Sequence, residues 1–597
     1  MNRFVAAIII FFRVFVFDLP AQELRLKSID FQGNKIIPDN ELLSQMNTQP
    51  KTRIQKIFFW KKKPDFIYSV LEEDIGRIDS YYKRNGFLNS VIEFTTDTSS
   101  NKVKVAIRIS ENSFVKVRSI NLNIRGDSTA TGIGDSLISL FPLKQNERFT
   151  DKDVFESEKI IKKRFSDRGY PLVNTRHEIN LSPDTLFCDV AFNVNTGSKS
   201  YFGSVFINGD TLIPEKFIRK YLLFSEGDLF SQKKIDKTQQ DIFGTDLFRY
   251  VVMTPVKDSI QNDRIPVGIL LKELPRWQLE TGVGYGTEDR LRLAAQVTKL
   301  NFLGGARRLI VNAKTSYFLP FSFDVRFVQP DILIPKLDLV LNPFISRERE
   351  ISYTIDRMGS IVSLLYRLSR NLDARISYTF ERDRIRELSD IQLDHSELKH
   401  NKSVISSGIN VNSSDDPFYP TKGYRLKADV SFAGLGSVSA VHYYKLDFSL
   451  VNYFAVDKEV TLATKISSGV IQAIGKSLLT PVEERYYLGG ASSLRGWGRH
   501  RISPVTVFGY PTGGNTMAEG SIELRFPVYD ILQGGVFADA GNVWSAAYHY
   551  DLLLLHYDTG IGLRVKTPIG PVRLDLATPV INDRFNLQFF ISVGHAF

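Results

Sequence analysis

The 597-residue sequence predicts two architectures in series. Three α+β repeats of β-α-α-β-β order come first, and an all-β transmembrane barrel of about 16 antiparallel strands follows. Three observations carry this prediction. A pattern of roughly ninety residues recurs three times between residues 24 and 274. From Pro275 onward the helical period gives way to strict alternation. Aromatic residues make up 12 % of the chain while mean hydropathy is only −0.12, so apolar side chains are spread over many short elements.

The N-terminus begins with Met1-Asn2-Arg3, runs apolar from Phe4 to Phe12, is interrupted by Arg13 and reaches a small residue at Ala21. A basic start, a short apolar core and a small residue predict a secretory signal over 1–21. No later apolar run attains the ~18 residues of a spanning helix, so a membrane crossing must use strands closed into a barrel.

The repeats are expected over 24–112, 113–199 and 200–274. Each opens with a strand that ends in a glycine turn, at Gly33, Gly126 and Gly209. Two of them then carry an apolar-periodic helix closed by a Gly-aromatic step, Gly86-Phe87 and Gly169-Tyr170; the third has 243-FGTDLF-248 in that place. Thr150 and Asp153 form a variant capping box at the start of the second repeat's long helix. Alternating strands such as 102-KVKVAIRIS-110 and 187-FCDVAFNV-194 complete each unit.

Within the first repeat, 51-KTRIQKIFFWKKK-63 gathers cations around apolar residues. Trp60, Lys61, Lys62 and Lys63 there suit anionic lipid head groups, and a solvated basic loop is the plainer alternative. The formal charge of +10 lacks any compact nucleic-acid motif beside it, so no nucleic-acid partner is expected. The single cysteine, Cys188, reads as a small packed residue. Eight histidines show no HExxH spacing, and no GxSxG elbow is present, so no enzyme, metal or cofactor is expected.

In the barrel region, 277-WQLETGVGYG-286 places Trp277, Leu279, Val283 and Tyr285 on one face, with Gln278, Glu280, Gly282, Gly284 and Gly286 on the other. The last segment, 586-NLQFFISVGHAF-597, would present Leu587, Phe589, Ile591, Val593 and Phe597 to lipid. The same parity turns Glu523 in 517-MAEGSIELRF-526 and Asp539 in 535-GVFADAGNVW-544 into the lumen, because a carboxylate facing lipid is costly. Arg495, in the loop 490-GASSLRGWGRHRIS-503, can bridge both carboxylates through its planar fork if that loop folds inside. A solvated loop arginine is the plain alternative.

The repeats resemble POTRA domains, periplasmic modules whose exposed sheet edge can accept an added strand. Leu494-Arg495-Gly496-Trp497, with Gly489-Gly490 before it and the carboxylates Glu523 and Asp539 after it, resembles the lumen loop motif of the BamA/TamA superfamily, with Trp in place of the usual Phe. The stretches 300-LNFLGGARRL-309, 415-DDPFYPTKG-423 and 560-GIGLRVKTPIGPVRLDLATP-579 extend the likeness. It implies a bacterial outer-membrane insertase or translocation factor for β-barrel or autotransporter-type clients, with POTRA repeats in the periplasm. Implied partners are the outer-membrane bilayer, unfolded clients and a periplasmic or inner-membrane protein bound by the repeats. It further implies a weak barrel seam, which the glycines Gly282, Gly284 and Gly286 suit, and a C-terminal strand signal at Phe589, Ile591, Val593 and Phe597. Three repeats resemble the TamA-like branch more than the five-repeat pattern. A two-partner-type polypeptide secretion pore is the alternative function.

Overall fold

The computed structural model describes residues 24–49, 66–99, 101–134, 136–209, 213–257, 260, 262–388, 398–436, 439–457, 460–529, 531–568, 570–581 and 585–597. The signal expected over 1–21 and the basic stretch 51–63 lie outside the described residues. Two compact units are present: Met1–Phe206 with Leu223–Lys237 and Met253–Gly268, and Ile207–Leu222 with Thr238–Val252 and Ile269–Phe597. Their division runs through the third repeat.

The first repeat comprises β1 (Arg25–Gln32), α1 (Asp39–Ser44), α2 (Tyr68–Arg84), β2 (Val91–Ser99) and β3 (Lys102–Ser110). The second comprises β4 (Lys116–Arg125), α3 (Thr131–Gly134), α4 (Asp151–Ser166), β5 (Asn174–Leu181) and β6 (Phe187–Asn195). In both, the last strand is central: β1 pairs with β3 in parallel and β2 with β3 antiparallel, and β4, β6 and β5 repeat that arrangement. One helix face packs on it at a common spacing. Leu71, Ile78 and Tyr82 of α2 are buried with Val103, Val105 and Ile107, and Val154, Ile161 and Phe165 of α4 with Val190, Phe192 and Cys188. Each such burial contributes about 1.5–3 kcal/mol.

Thr150 caps the helix as the sequence predicts, its Oγ1 accepting from the Asp153 amide at 3.1 Å, and the Asp153 carboxylate accepts from the Thr150 hydroxyl at 2.7 Å. The repeat-turn glycines have φ of 90°, 122° and 139°, which a side chain rarely tolerates. The third repeat contains β7 (Tyr201–Asn208), α5 (Glu215–Arg219), α6 (Gln232–Phe243), β8 (Phe248–Pro255) and β9 (Arg264–Glu273), in sheet order β7-β9-β8. Its departure from the Gly-aromatic step is real: here the positive φ belongs to Asp246.

The barrel runs β10 (Trp277–Gly286), β11 (Arg290–Leu300), β12 (Arg308–Thr315), β13 (Phe321–Gln329), β14 (Leu337–Arg349), β15 (Tyr353–Ser369), β16 (Leu372–Leu388) and β17 (Lys399–Asn412). It continues with β18 (Gly423–Ala433), β19 (Tyr443–Ala455), β20 (Thr461–Ala473), β21 (Thr516–Tyr529), β22 (Leu532–Trp544), β23 (His556–Val565), β24 (Val572–Pro579) and β25 (Gln588–Val593). These form one 16-stranded sheet in sequence order. Alternation is kept: Trp277 and Val283 are 62 % and 79 % exposed outside, while Glu523 is fully buried inside.

The C-terminal segment departs from the face expected of it. Leu587, Phe589 and Val593 do face outward, but Phe597 does not continue that face. The strand stops at Val593, Gly594 adopts a φ of 96°, and the chain turns inward. Phe597 then packs against Val451, Tyr453 and Ala463, on the lumen face of β19 and β20. Parity cannot be extended past a residue in the left-handed region.

Candidate functional site

Sixteen strands return the chain to the end where it entered, so the connection 474–515 between β20 and β21 starts and finishes at the opposite rim. From there it descends into the barrel as a narrow double strand, with Leu488 and Ile502 exchanging two backbone hydrogen bonds of 3.0 Å. At its tip, Gly490 N–H donates to the Trp497 carbonyl at 3.0 Å, which closes the turn that presents Arg495.

Arg495 is fully buried. Its Nε and Nη2 donate to the two oxygens of Asp539 at 2.8 and 2.9 Å, and its Nη1 donates to Glu523 Oε2 at 2.7 Å. Beneath the fork lies Phe537, whose ring centre is 3.3 Å from the guanidinium carbon, so charge pairing and ring stacking fix one orientation. Phe537 stands directly opposite Glu523 in the β21–β22 ladder, and Ser521 opposite Asp539. Two adjacent strands thus provide both carboxylates and the platform.

The neighbours in the motif have steric roles. A Cβ on Gly496 would stand 2.5 Å from Asp558 Cβ and 3.0 Å from the Pro579 nitrogen, so only glycine lets the tip lie against β23 and β24. Leu494 is buried among Tyr443, Ile471 and Val543. Trp497 packs partly against the same cluster and meets His556 edge-on at 5.4 Å.

The clasp belongs to a larger network that the sequence reading missed. Arg525 Nε donates to Glu523 Oε1 at 2.8 Å, Arg564 lies 3.1 Å from both Glu523 and Asp575, and Arg573 lies 3.2 Å from Asp575. Four arginines, 495, 525, 564 and 573, therefore face four carboxylates, 523, 539, 558 and 575, all buried. Arg573 also reaches the loop at the Ala491 carbonyl and the last strand at Ser592 Oγ, 2.6 Å away. Parity within 560–579 carried the signal, since Arg564, Arg573 and Asp575 alternate with outward-facing apolar residues.

The opposite feature is the seam. Each barrel strand pairs with its sequence neighbours, and among the described residues β10 and β25 share no ladder. Thr287, just past β10, joins them: its amide donates to the Ile591 carbonyl and its Oγ1 accepts from the Ile591 amide, each at 3.3 Å. Gly282 and Gly284 line a cavity of about 590 Å³ at the seam, together with the outward-facing Val283 and Val593 and with Arg292, Glu350 and Arg499. A Cβ on Gly286 would stand 3.3 Å from the Ile591 carbonyl oxygen.

A family model described as the Omp85 superfamily domain matches residues 301–597. A POTRA model, described as the surface antigen variable number repeat, matches residues 24–112 and 200–273. The chain is 21 % identical over 617 residues to the outer membrane protein assembly factor BamA of Neisseria meningitidis, covering 93 % of this chain and 76 % of that one. Identity to the protein of that name from Neorickettsia risticii is 22 % over 593 residues, covering 94 % and 76 %. The crystal structure of BamA from Haemophilus ducreyi lacking POTRA domains 1–3 superposes with a TM-score of 0.63 at 19 % identity, covering 80 % of this chain and 99 % of that one. At that identity the likeness is one of fold.

Proposed function

The chain belongs to the Omp85 superfamily, outer-membrane β-barrels that carry periplasmic POTRA repeats, and from that premise we propose that it assembles other proteins into or across the outer membrane. Its clients are unfolded β-barrel or autotransporter-type chains, and the reading contains no catalytic step. The observation that carries it is the seam between β10 and β25, where a barrel otherwise laddered throughout is joined through Thr287 and Ile591.

An unladdered pair of edges offers unpaired amide and carbonyl groups, and a client strand satisfies them without any demand on its side chains. Glycines at 282, 284 and 286 weaken the packing of the first strand and ease its separation. The repeats receive clients on their outer strands, β2 in the first and β5 in the second, which expose Val91, Ile179 and Leu181. The TamA-like placement rests on repeat number alone.

A disulfide across the seam tests the proposal, made by Thr287→Cys with Ile591→Cys in a Cys188→Ser chain. Oxidation should stop client assembly in membranes and reduction should restore it. Assembly that continues unchanged with the seam locked refutes the seam route, and continued export of one soluble polypeptide under the same lock would favour the secretion pore.

A further inference from the structure

A second charge cluster holds the same loop at a different place. Lys402, on the lumen face of β17, is fully buried. Its Nζ lies 2.6 Å from Glu381 and 2.8 Å from Asp383, both on β16, and 2.8 Å from Glu484 and 3.3 Å from Glu483, both on the descending arm of the loop. Beside it, His400 Nε2 lies 2.9 Å from Glu483 Oε1. From β19, Lys445 Nζ donates to the Glu484 carbonyl at 2.9 Å and lies 3.3 Å from its carboxylate.

Asp383, His400 and Glu483 have the composition and closeness of a metal site. The ammonium of Lys402 nevertheless stands against Asp383 and Glu483, at 2.8 and 3.3 Å, and takes the place a cation would fill. We infer that Lys402 is a positioning residue that locks the stem of the lumen loop to the barrel wall, independently of the Arg495 lock at its tip. The inference concerns how the loop is held and does not depend on what the barrel assembles.

Its physical basis is that the wall alone sets two carboxylates against Lys402, whereas the seated stem adds two more and recruits His400 and Lys445. Buried carboxylates are tolerated only when paired. Withdrawing the stem would break the contacts of Glu483 and Glu484 with Lys402, His400 and Lys445 at once. The two locks use different strands: β16, β17 and β19 for the stem, β21 to β24 for the tip. Val482, beside Glu483 in the stem and 2 % exposed, packs against Tyr353, Ile355 and Ile385 of the wall.

Two reporter cysteines in the full-length Cys188→Ser chain separate the locks, Val482→Cys in the stem and Ser493→Cys at the tip. With Lys402→Met, labelling at 482 by an impermeant thiol reagent should rise roughly tenfold or more, because a buried thiol reacts only when its segment opens, while labelling at 493 changes by less than about twofold. A general loosening of the barrel would raise both together, and that outcome overturns the inference. Unchanged labelling at 482 overturns it as well. Should Lys402→Met fail to reach the membrane, Glu483→Gln with Glu484→Gln leaves the wall charges paired and must give the same selective release; no release there is equally fatal.

Discussion

Replacing Arg495 by Ala should free the loop tip while leaving the barrel assembled, and the structure says which partner suffers. Glu523 keeps Arg525 at 2.8 Å and Arg564 at 3.1 Å, so it remains compensated. Asp539 loses both bonds from the guanidinium and is left opposite Asp558 in the β22–β23 ladder. Removing one partner of a buried pair costs about 3–5 kcal/mol. With one of the two carboxylates still paired, the lower end applies, and about 3 kcal/mol corresponds to roughly a hundredfold in the ratio of freed to seated loop. Arg495→Lys should recover part of this, since an ammonium cannot span both oxygens of Asp539 and also reach Glu523. The assay is labelling of Ser493→Cys by an impermeant thiol reagent in a Cys188→Ser chain. A second substitution sharpens it: Asp539→Asn should reseat the Arg495→Ala tip better than Glu523→Gln does. Equal labelling in the parent and in Arg495→Ala, or equal rescue by the two second-site changes, would refute this reasoning.

Gly496→Ala should also unseat the tip, at roughly 1–3 kcal/mol, because the added methyl meets Asp558 and Pro579; the same reporter reads it, and parent-like labelling would contradict the steric role. Burial pushes the Cys188 thiol up to about 11, so it should resist thiol reagents at neutral pH until the second repeat unfolds in denaturant. In the turn between β17 and β18, burial raises the Asp415 carboxyl, but hydrogen bonds from the Thr421 hydroxyl and the Lys422 and Thr421 amides outweigh it and hold the group at about 2. A depressed carboxyl stabilises the turn above its unfolded value of about 4 and loses that contribution as pH falls towards about 2. Hydrogen exchange at Thr421 and Lys422, corrected for intrinsic rate, should therefore speed up in that window, and Asp415→Asn should abolish the pH dependence.

Much of this was legible because strands have a period of two. Parity turned Glu523 and Asp539 inward, and the resemblance of Leu494-Arg495-Gly496-Trp497 to the lumen loop motif singled out Arg495 to bridge them. The same rule applied to 560–579 would have added Arg564, Arg573 and Asp575. The repeats were legible through their glycines and through the helix spacing shared by Leu71, Ile78, Tyr82 and Val154, Ile161, Phe165. Two features were not. Phe597 shares the outward parity of its strand, and only the left-handed Gly594 sends it into the lumen. The Lys402 cluster joins residues 381–402 to residues 483–484 across the barrel, and nothing in the local sequence of either segment announces a partner so distant.

On the proposed function, clients engage the open edge of the barrel. The most direct test is a photo-activated crosslinking residue at Phe589, on the edge strand β25, in growing cells, with identification of every captured protein. Unfinished outer-membrane barrel chains should be captured there, and their capture should be lost when the seam is locked by the disulfide between positions 287 and 591. Capture of lipid alone, or of one dedicated soluble export product and no barrel chain, would contradict it.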